Sequence, residues 1–399
     1  MNLLVVYPQA IVPTRGGTER VAYTVAGALR ELGHQVFFMA TKSGSADAHL
    51  APQPEHILIS ENLNAEERKQ AVISACEKHH IDVIINEGGE FEDFSIFSNQ
   101  VLKNVKIITC LHFDVYGEIK YFRRNQQYKI LTTSRIKRFI IDLCALVGID
   151  PYRIKFYLSR RAQFTRMLHV SDAVVVVTPV IAEQLKKITG INSEKITSIL
   201  NPVPFTGTQT SYNTDTKEQT LLFVGRFSPD KNVDKILQAW AMIAPHFPTW
   251  KLEIAGDGEM RDTLHAMVKE QSIPRVHFHG HVEDVETLYK RAEYVLLASD
   301  CESFSCVVLE SFLHGCYPIV FDYPSVSVVI PHDKMGAIVK QHTAKALAQA
   351  ISHAITNGLS NKHNIEAIDL HLSQFDITRL TASWQKLLQW LKPSEHHNA

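Results

Sequence analysis

Two glutamates and two cations occupy positions where they can do chemistry together. Glu302 and Glu310 stand eight residues apart, on either side of the point where the apolar run Tyr294–Ala298 gives way to a polar loop and then to a helical pattern carrying Val307, Val308, Leu309 and Phe312. That spacing puts one carboxylate in the loop at a strand's carboxyl end and the other about one turn into the helix, so both can face a ligand at the helix N-terminus. An ionised carboxylate only accepts hydrogen bonds, so both would meet donors on a ligand. Arg226 and Lys231 follow Gly225 in the stretch Val224–Asn232. A guanidinium fork and an ammonium at a helix start are what a diphosphate needs. Taken singly, each charge reads as ordinary surface, and two glutamates at this spacing usually do too.

Alternating strand and helix patterns position these groups. The first half reads as strands at Leu3–Tyr7, Gln35–Met39, Val83–Ile85, Val105–Cys110, Ala173–Val177 and Ile196–Leu200, with helices at Glu19–Leu32, Glu66–Lys78 and Pro179–Lys187. The second half repeats the alternation, with strands at Thr220–Val224, Trp250–Ala255, Val276–Phe278 and Tyr294–Ala298 and helices at Val233–Ala244, Glu259–Gln271 and Val285–Arg291. Such a rhythm predicts βαβ units and parallel sheets. The expected division is a first domain over 1–202, a linker rich in Thr, Ser, Asn and Gly over 203–219, a second domain over 220–375, a helix over 376–391 and a disordered tail over 392–399.

Three further loops end strands. Between the first strand and first helix lie Gly16 and Gly17, which permit close backbone approach, followed by Thr18 as the expected N-cap. Leu111-His112-Phe113-Asp114 follows the strand ending at Cys110, where open sheets place their ligands, although a single histidine is more often a satisfied core or surface residue. Gly256 opens the turn Ala255–Glu259 on the strand after Gly225, and a glycine there can equally well only shape the turn.

The 399 residues suit two domains of ordinary size, and a net charge of −1 with 45% hydrophobic residues describes a globular chain without the basic excess of a nucleic-acid binder. Six cysteines show no metal-ligand spacing and read as reduced thiols of a cytoplasmic protein. No signal peptide or membrane-spanning run is read, so any membrane contact is expected to be peripheral. Charge is uneven, however. Between Glu118 and His169 twelve basic residues face three acidic ones, interleaved with Tyr121, Phe122, Phe139 and Phe156. A solvated face is the bland explanation. The mixture, with Arg135, Lys137, Arg138, Arg160 and Arg161 at its centre, suits an anionic membrane surface or a polyanionic acceptor.

The run Glu302-Ser-Phe-Ser-x-x-x-x-Glu310, followed by His314-Gly-Cys-Tyr-Pro-Ile-Val320, resembles the Glu-x7-Glu signature of retaining, GT-B-fold nucleotide-sugar glycosyltransferases of family four. The family reads Glu-Gly-Phe-Gly where this chain has Ser303 and Ser305. Gly16-Gly17, His112 and Gly225-Arg226 with Lys231 match further motifs of that family in order. The resemblance implies two Rossmann-like domains, the last helix crossing back to the first, and a nucleoside diphosphate sugar as donor. It implies that Gly16, Gly17, Gly225, Gly256, Phe304, Ser305, Cys306 and Glu310 bind the donor, Glu310 through its ribose. Arg226, Lys231, Glu302 and His112 would be catalytic, with His112 at the donor sugar and no metal or other cofactor required. The acceptor is then a glycan or glycolipid, as in lipopolysaccharide or capsule, met at the inner face of the cell membrane. A nucleotide-sugar epimerase, a sugar phosphorylase of related fold, and a non-catalytic sugar-nucleotide-binding scaffold stay open as alternatives.

Overall fold

The computed structural model describes all residues except 14, 44–55, 61–62, 90–101, 103, 118–150, 204–216, 362–363 and 393–399. Arg135, Lys137 and Arg138, most of the expected linker and the C-terminal tail therefore lie outside the described residues. The chain divides into two compact units, the first including residues 1–119 and 123–202 together with the chain from 375 on, the second including residues 203–374.

The first unit is built on seven parallel strands: β1 (Asn2–Tyr7), β2 (Gln35–Ser43), β3 (His56–Ser60), β4 (Val83–Asn86), β5 (Lys106–Leu111), β6 (Ala173–Val176) and β7 (Ile196–Ser198). Their order in the sheet is β3-β2-β1-β4-β5-β6-β7, so the direction of winding reverses between β1 and β4. Strands such as Val-Ile-Ile-Asn and Ala-Val-Val-Val are buried at every position, as parallel strands covered on both faces must be. Helices α1 (Gly17–Glu31), α2 (Ala65–Lys78), α3 (Pro151–Val170) and α4 (Pro179–Thr189) complete the crossovers. On one face of this sheet Leu4, Val6, Met39, Val72, Ile84 and Ile107 form a contiguous core.

The second unit has six parallel strands, β8 (Glu218–Val224), β9 (Lys251–Ala255), β10 (Val276–Gly280), β11 (Ala292–Leu297), β12 (Tyr317–Phe321) and β13 (Ala337–Val339). They are ordered β10-β9-β8-β11-β12-β13, with the reversal between β8 and β11. The crossover and flanking helices are α5 (Val233–Ile243), α6 (Arg261–Glu270), α7 (Glu286–Arg291), α8 (Cys306–Leu313), α9 (Val326–Val329), α10 (Ala344–Thr356) and α11 (Ile365–Leu372). Phe223, Trp240, Leu252, Tyr294 and Phe321 anchor its main core. Both units thus carry the doubly wound parallel sheet expected from the alternation.

Two local expectations are corrected. Thr18 is not the N-cap of α1: the helix begins at Gly17, the cap is Gly16 in extended conformation, and no side chain caps it. β3 and α3 were not anticipated, and both lie in polar surroundings that hide their periodicity. The last helix, α12 (Ile377–Trp390), packs on α1 and belongs to the first unit. It buries Leu380, Trp384 and Leu388 on one face. Because truncating a buried tryptophan removes about 3–5 kcal/mol, Trp384→Ala should lower the urea midpoint of the first unit markedly. An unchanged midpoint would show that α12 adds nothing to that unit's stability.

Candidate active site

In open parallel sheets ligands lodge beyond the carboxyl ends of the strands where winding reverses. In the second unit those strands are β8 and β11, and their following loops hold Gly225–Asn232 and Ala298–Ser305. Several bonds tie the two loops together. Asp300 N donates to the Asp230 carbonyl at 2.8 Å. Asn232, fully buried and left-handed (φ 50°), donates from Nδ2 to the Ala298 carbonyl at 2.8 Å. Lys231 Nζ then reaches Glu302 Oε1 at 2.6 Å.

That ion pair is partly open, with side-chain exposures of 24% and 13%. Burial works against the Lys231 charge, but Glu302 and Asp230 outweigh it, so its pKa lies above the ordinary lysine value and the ammonium stays charged at neutral pH. Arg226 is exposed and has no ion-pair partner among the described residues. One cation is therefore matched by a carboxylate before any ligand arrives, and the other is presented to solvent on the same loop. Asp300 is held in turn by Lys235 (3.5 Å) and His342 (3.3 Å).

The two glutamates occupy different surroundings. Glu310 is buried on α8, where Tyr289 Oη donates to its Oε2 at 2.6 Å, while Glu302 sits on the more open loop. Ser305 caps α8, its Oγ accepting from Val308 N at 3.4 Å, and Cys306 begins the helix. Phe304 is buried beneath the loop. The Tyr323 phenol, after β12, lies in the field of Glu302 and Cys306 and near the Ser305 hydroxyl. Burial, then the Glu302 charge, pushes it well above the usual tyrosine value.

Gly225 and Gly256 lie where the β8 and β9 turns meet. Gly225 N donates to the Ala255 carbonyl (3.0 Å), Gly256 N to the Gly280 carbonyl (2.7 Å) and Phe227 N to the Asp257 carbonyl (2.8 Å). Gly256 has φ +145°, and a Cβ there would overlap the Gly225 carbonyl oxygen. Its glycine identity is explained by this contact between turns.

In the first unit the winding reverses between β1 and β4. The turn after β1 leads to Gly16, over which the Glu19 carboxylate folds; a Cβ on Gly16 would lie 2.6 Å from Glu19 Oε2, whereas Gly17 faces open space. His112 follows β5, and its Nε2 pairs with Oε2 of Glu87, the residue after β4, at 2.5 Å. Glu87, Cys110 and His112 bring ligand-type atoms within 4.8 Å of one another. The Glu87–His112 separation is that of a hydrogen bond between a carboxylate and an imidazole. On α3, Arg160 lies over the Phe156 ring and bonds Gln163, and Arg161 is exposed. Arg161, Arg166, His169, Leu158 and Thr189 line an open groove of about 550 Å³.

Residues 15–206 match Glycosyltransferase Family 4, and residues 207–369 match Glycosyl transferases group 1. The chain belongs to the family-four, group 1 glycosyltransferases. An uncharacterized glycosyltransferase of Haemophilus influenzae is 22% identical over 94% of this chain and 97% of its own. An α-1,4-N-acetylgalactosaminyltransferase of Campylobacter jejuni, which acts on a diphospho-undecaprenol-linked glycan, is 28% identical over 50% of this chain, which spans about half of that relative (56%). Anabaena HepE in complex with UDP superposes with a TM-score of 0.71 at 15% identity, covering 98% of this chain and all of the other, and Staphylococcus aureus TarM with 0.72 at 11%, covering 97% and 99%. These likenesses establish the GT-B fold.

In this glycosyltransferase Gly225, Arg226, Lys231, Glu302, Phe304 and Ser305 lie on one loop pair of the second unit, with Glu310 on α8 and Gly256 on the β9 turn, while His112 and Gly16 belong to the first unit. Sequence reasoning missed Glu87, Asn232 and Tyr323. Asn232 carried a readable signal, an asparagine just before a helical run, but the others become visible only through contacts across strands. The Gly256 contact yields a direct test. Gly256→Ala should displace the β8 turn, lower thermal stability sharply and impair nucleotide binding. A variant with wild-type melting temperature and binding would show that the turn can give way.

Proposed function

We propose that this glycosyltransferase transfers a sugar from a nucleoside diphosphate donor to an acceptor hydroxyl with retention of configuration and without a metal. The observation that carries the proposal is the Arg226–Lys231–Glu302 arrangement at the reversal of the second sheet. The bond from the anomeric carbon to the diphosphate breaks while that carbon bonds the acceptor oxygen on the same face, and the departing phosphate takes the acceptor's proton. Arg226 and Lys231 stabilise the charge that grows on the leaving group, which is where preorganised electrostatics contribute most. Glu302 orients sugar hydroxyls and keeps Lys231 aimed. Glu310 serves the ribose, with Tyr289 fixing its carboxylate, and His112 serves the donor sugar.

The acceptor in this reading is a lipid-linked or cell-surface glycan. Relatives acting on undecaprenol-linked glycan and in lipopolysaccharide core biosynthesis support that class. So does α3, where Ile154 and Leu158 are 53% and 56% exposed beside Arg161 and Arg166. Apolar side chains set among cations suit the boundary of an anionic bilayer. No helix among the described residues is long and apolar enough to cross a membrane. The contact proposed for this face is a peripheral one, at the inner side of the cell membrane.

With a nucleotide-sugar panel, Arg226→Ala and Lys231→Ala should each cut transfer or donor hydrolysis on the order of 10²-fold. Glu302→Gln should also abolish transfer yet leave bare nucleoside diphosphate binding intact, because it removes a negative charge beside Lys231. Unimpaired turnover in both cation variants would exclude the site, and isomerised donor without transfer would point to an epimerase. For the acceptor face, sedimentation with anionic vesicles should fall with salt and with charge reversal at Arg160 and Arg161, joined by Arg135, Lys137 and Arg138. Equal sedimentation with neutral and anionic lipid at low salt would remove the membrane from the proposal.

A further inference from the structure

Glu87 belongs to none of the sequence motifs described above, yet it sits at the winding reversal of the first sheet. Its backbone is fixed from two sides. Glu87 N donates to the Val6 carbonyl of β1 at 2.9 Å. The preceding Asn86, fully buried, accepts from Gly88 N at 3.0 Å and donates to the Gly89 carbonyl at 3.1 Å, closing the turn. Gly89 is left-handed (φ +57°), and a Cβ there would lie 3.1 Å from the Cys110 carbonyl, so this turn is packed directly on β5.

The carboxylate that results is 5% exposed. Burying a carboxylate costs several kcal/mol unless hydrogen bonds replace its water. Two donors meet it, the Cys110 thiol and His112 Nε2. Cys110 is fully buried, and burial, then the Glu87 charge, holds its pKa well above the usual range, so it remains S–H and donates. With both partners donating, His112 carries a proton on Nε2, so in the neutral form of the ring the lone pair falls on Nδ1.

We propose that Glu87 is the positioning residue for His112, locking the imidazole in the Nε2–H tautomer and in one ring orientation. The proposal rests on the glycosyl-transfer reading for its kinetic consequence. A ring left free to flip or change tautomer presents the wrong atom to the donor sugar, and such misplacement costs up to about 10²-fold in rate.

The test combines kinetics with ¹⁵N NMR of histidine-labelled protein. Wild type should show His112 protonated on Nε2. Glu87→Gln, whose amide oxygen still accepts from Nε2–H, should keep that tautomer and turnover within about fivefold. Glu87→Ala should lose the single tautomer and fall about 10–100-fold, to the level of His112→Ala, and the double variant should fall no further. Should Glu87→Ala not fold, Glu87→Asp, which withdraws the carboxylate by one methylene, should fold and show the same tautomer loss with intermediate turnover. Wild-type turnover in Glu87→Ala, additive losses in the double variant, an Nδ1–H ring in wild type, or turnover abolished by chelation and restored by Zn²⁺ would each overturn the proposal. The NMR readout needs no turnover: an inactive wild type would sink the transferase reading while the tautomer still decides the role of Glu87.

Discussion

The Lys231–Glu302 ion pair is the contact on which the second unit's ligand end depends. It joins residues 71 positions apart, on loops that follow different strands, at 2.6 Å. Desolvating two charges costs free energy that their attraction offsets only when the geometry is close and other bonds support it. Here the Asp300–Asp230 backbone bond and the buried Asn232 amide hold the two loops together before the charges meet. The pair is therefore made by the fold and not by side-chain search. In the proposed reading, a diphosphate entering beside it would meet an ammonium already charged and already held by Glu302.

Both units solve the same geometric problem with different chemistry. Reversal of winding opens a gap beyond the strand ends, and the loops on either side of that gap need a common anchor. In the second unit the anchor is an ion pair, with the exposed Arg226 close by in sequence. In the first it is a buried carboxylate that gathers a thiol and an imidazole. A partly exposed ion pair can exchange partners with an incoming anion, whereas a carboxylate shielded from water keeps its donors. That difference suits a charge-binding loop in one unit and a fixed histidine in the other.

The parallel sheets were legible because strands covered on both faces read as unbroken apolar runs, Ala173–Val176 being the clearest. Polar setting hid the rest. His56–Ser60 is a short strand with only three apolar residues at its centre, and the cations interleaved along Pro151–Val170 blur its helical period. Thr18 looked like a cap because threonine usually is one, but the helix starts two residues earlier, at Gly17, with Glu19 folded over the capping Gly16. Motif residues were legible by type and spacing, whereas their partners were not. Nothing in a linear sequence links Glu87 to His112, 25 residues on, or Tyr289 to Glu310, because adjacent parallel strands and a crossover helix create those meetings.

The serine that replaces the family's glycine at 305 also acquires a physical account. Ser305 has φ −98° and ψ 101°, a conformation open to any residue, so this loop does not need glycine's freedom there. In exchange its hydroxyl caps α8. A helix of eight residues has little stability of its own, and a side-chain cap is typically worth about 1 kcal/mol. Glu310 lies on that helix, so whatever firmness the cap lends α8 is passed to the carboxylate that Tyr289 holds. The departure from the family pattern thus adds a hydroxyl that orders the helix behind the loop, at a backbone conformation that needs no glycine.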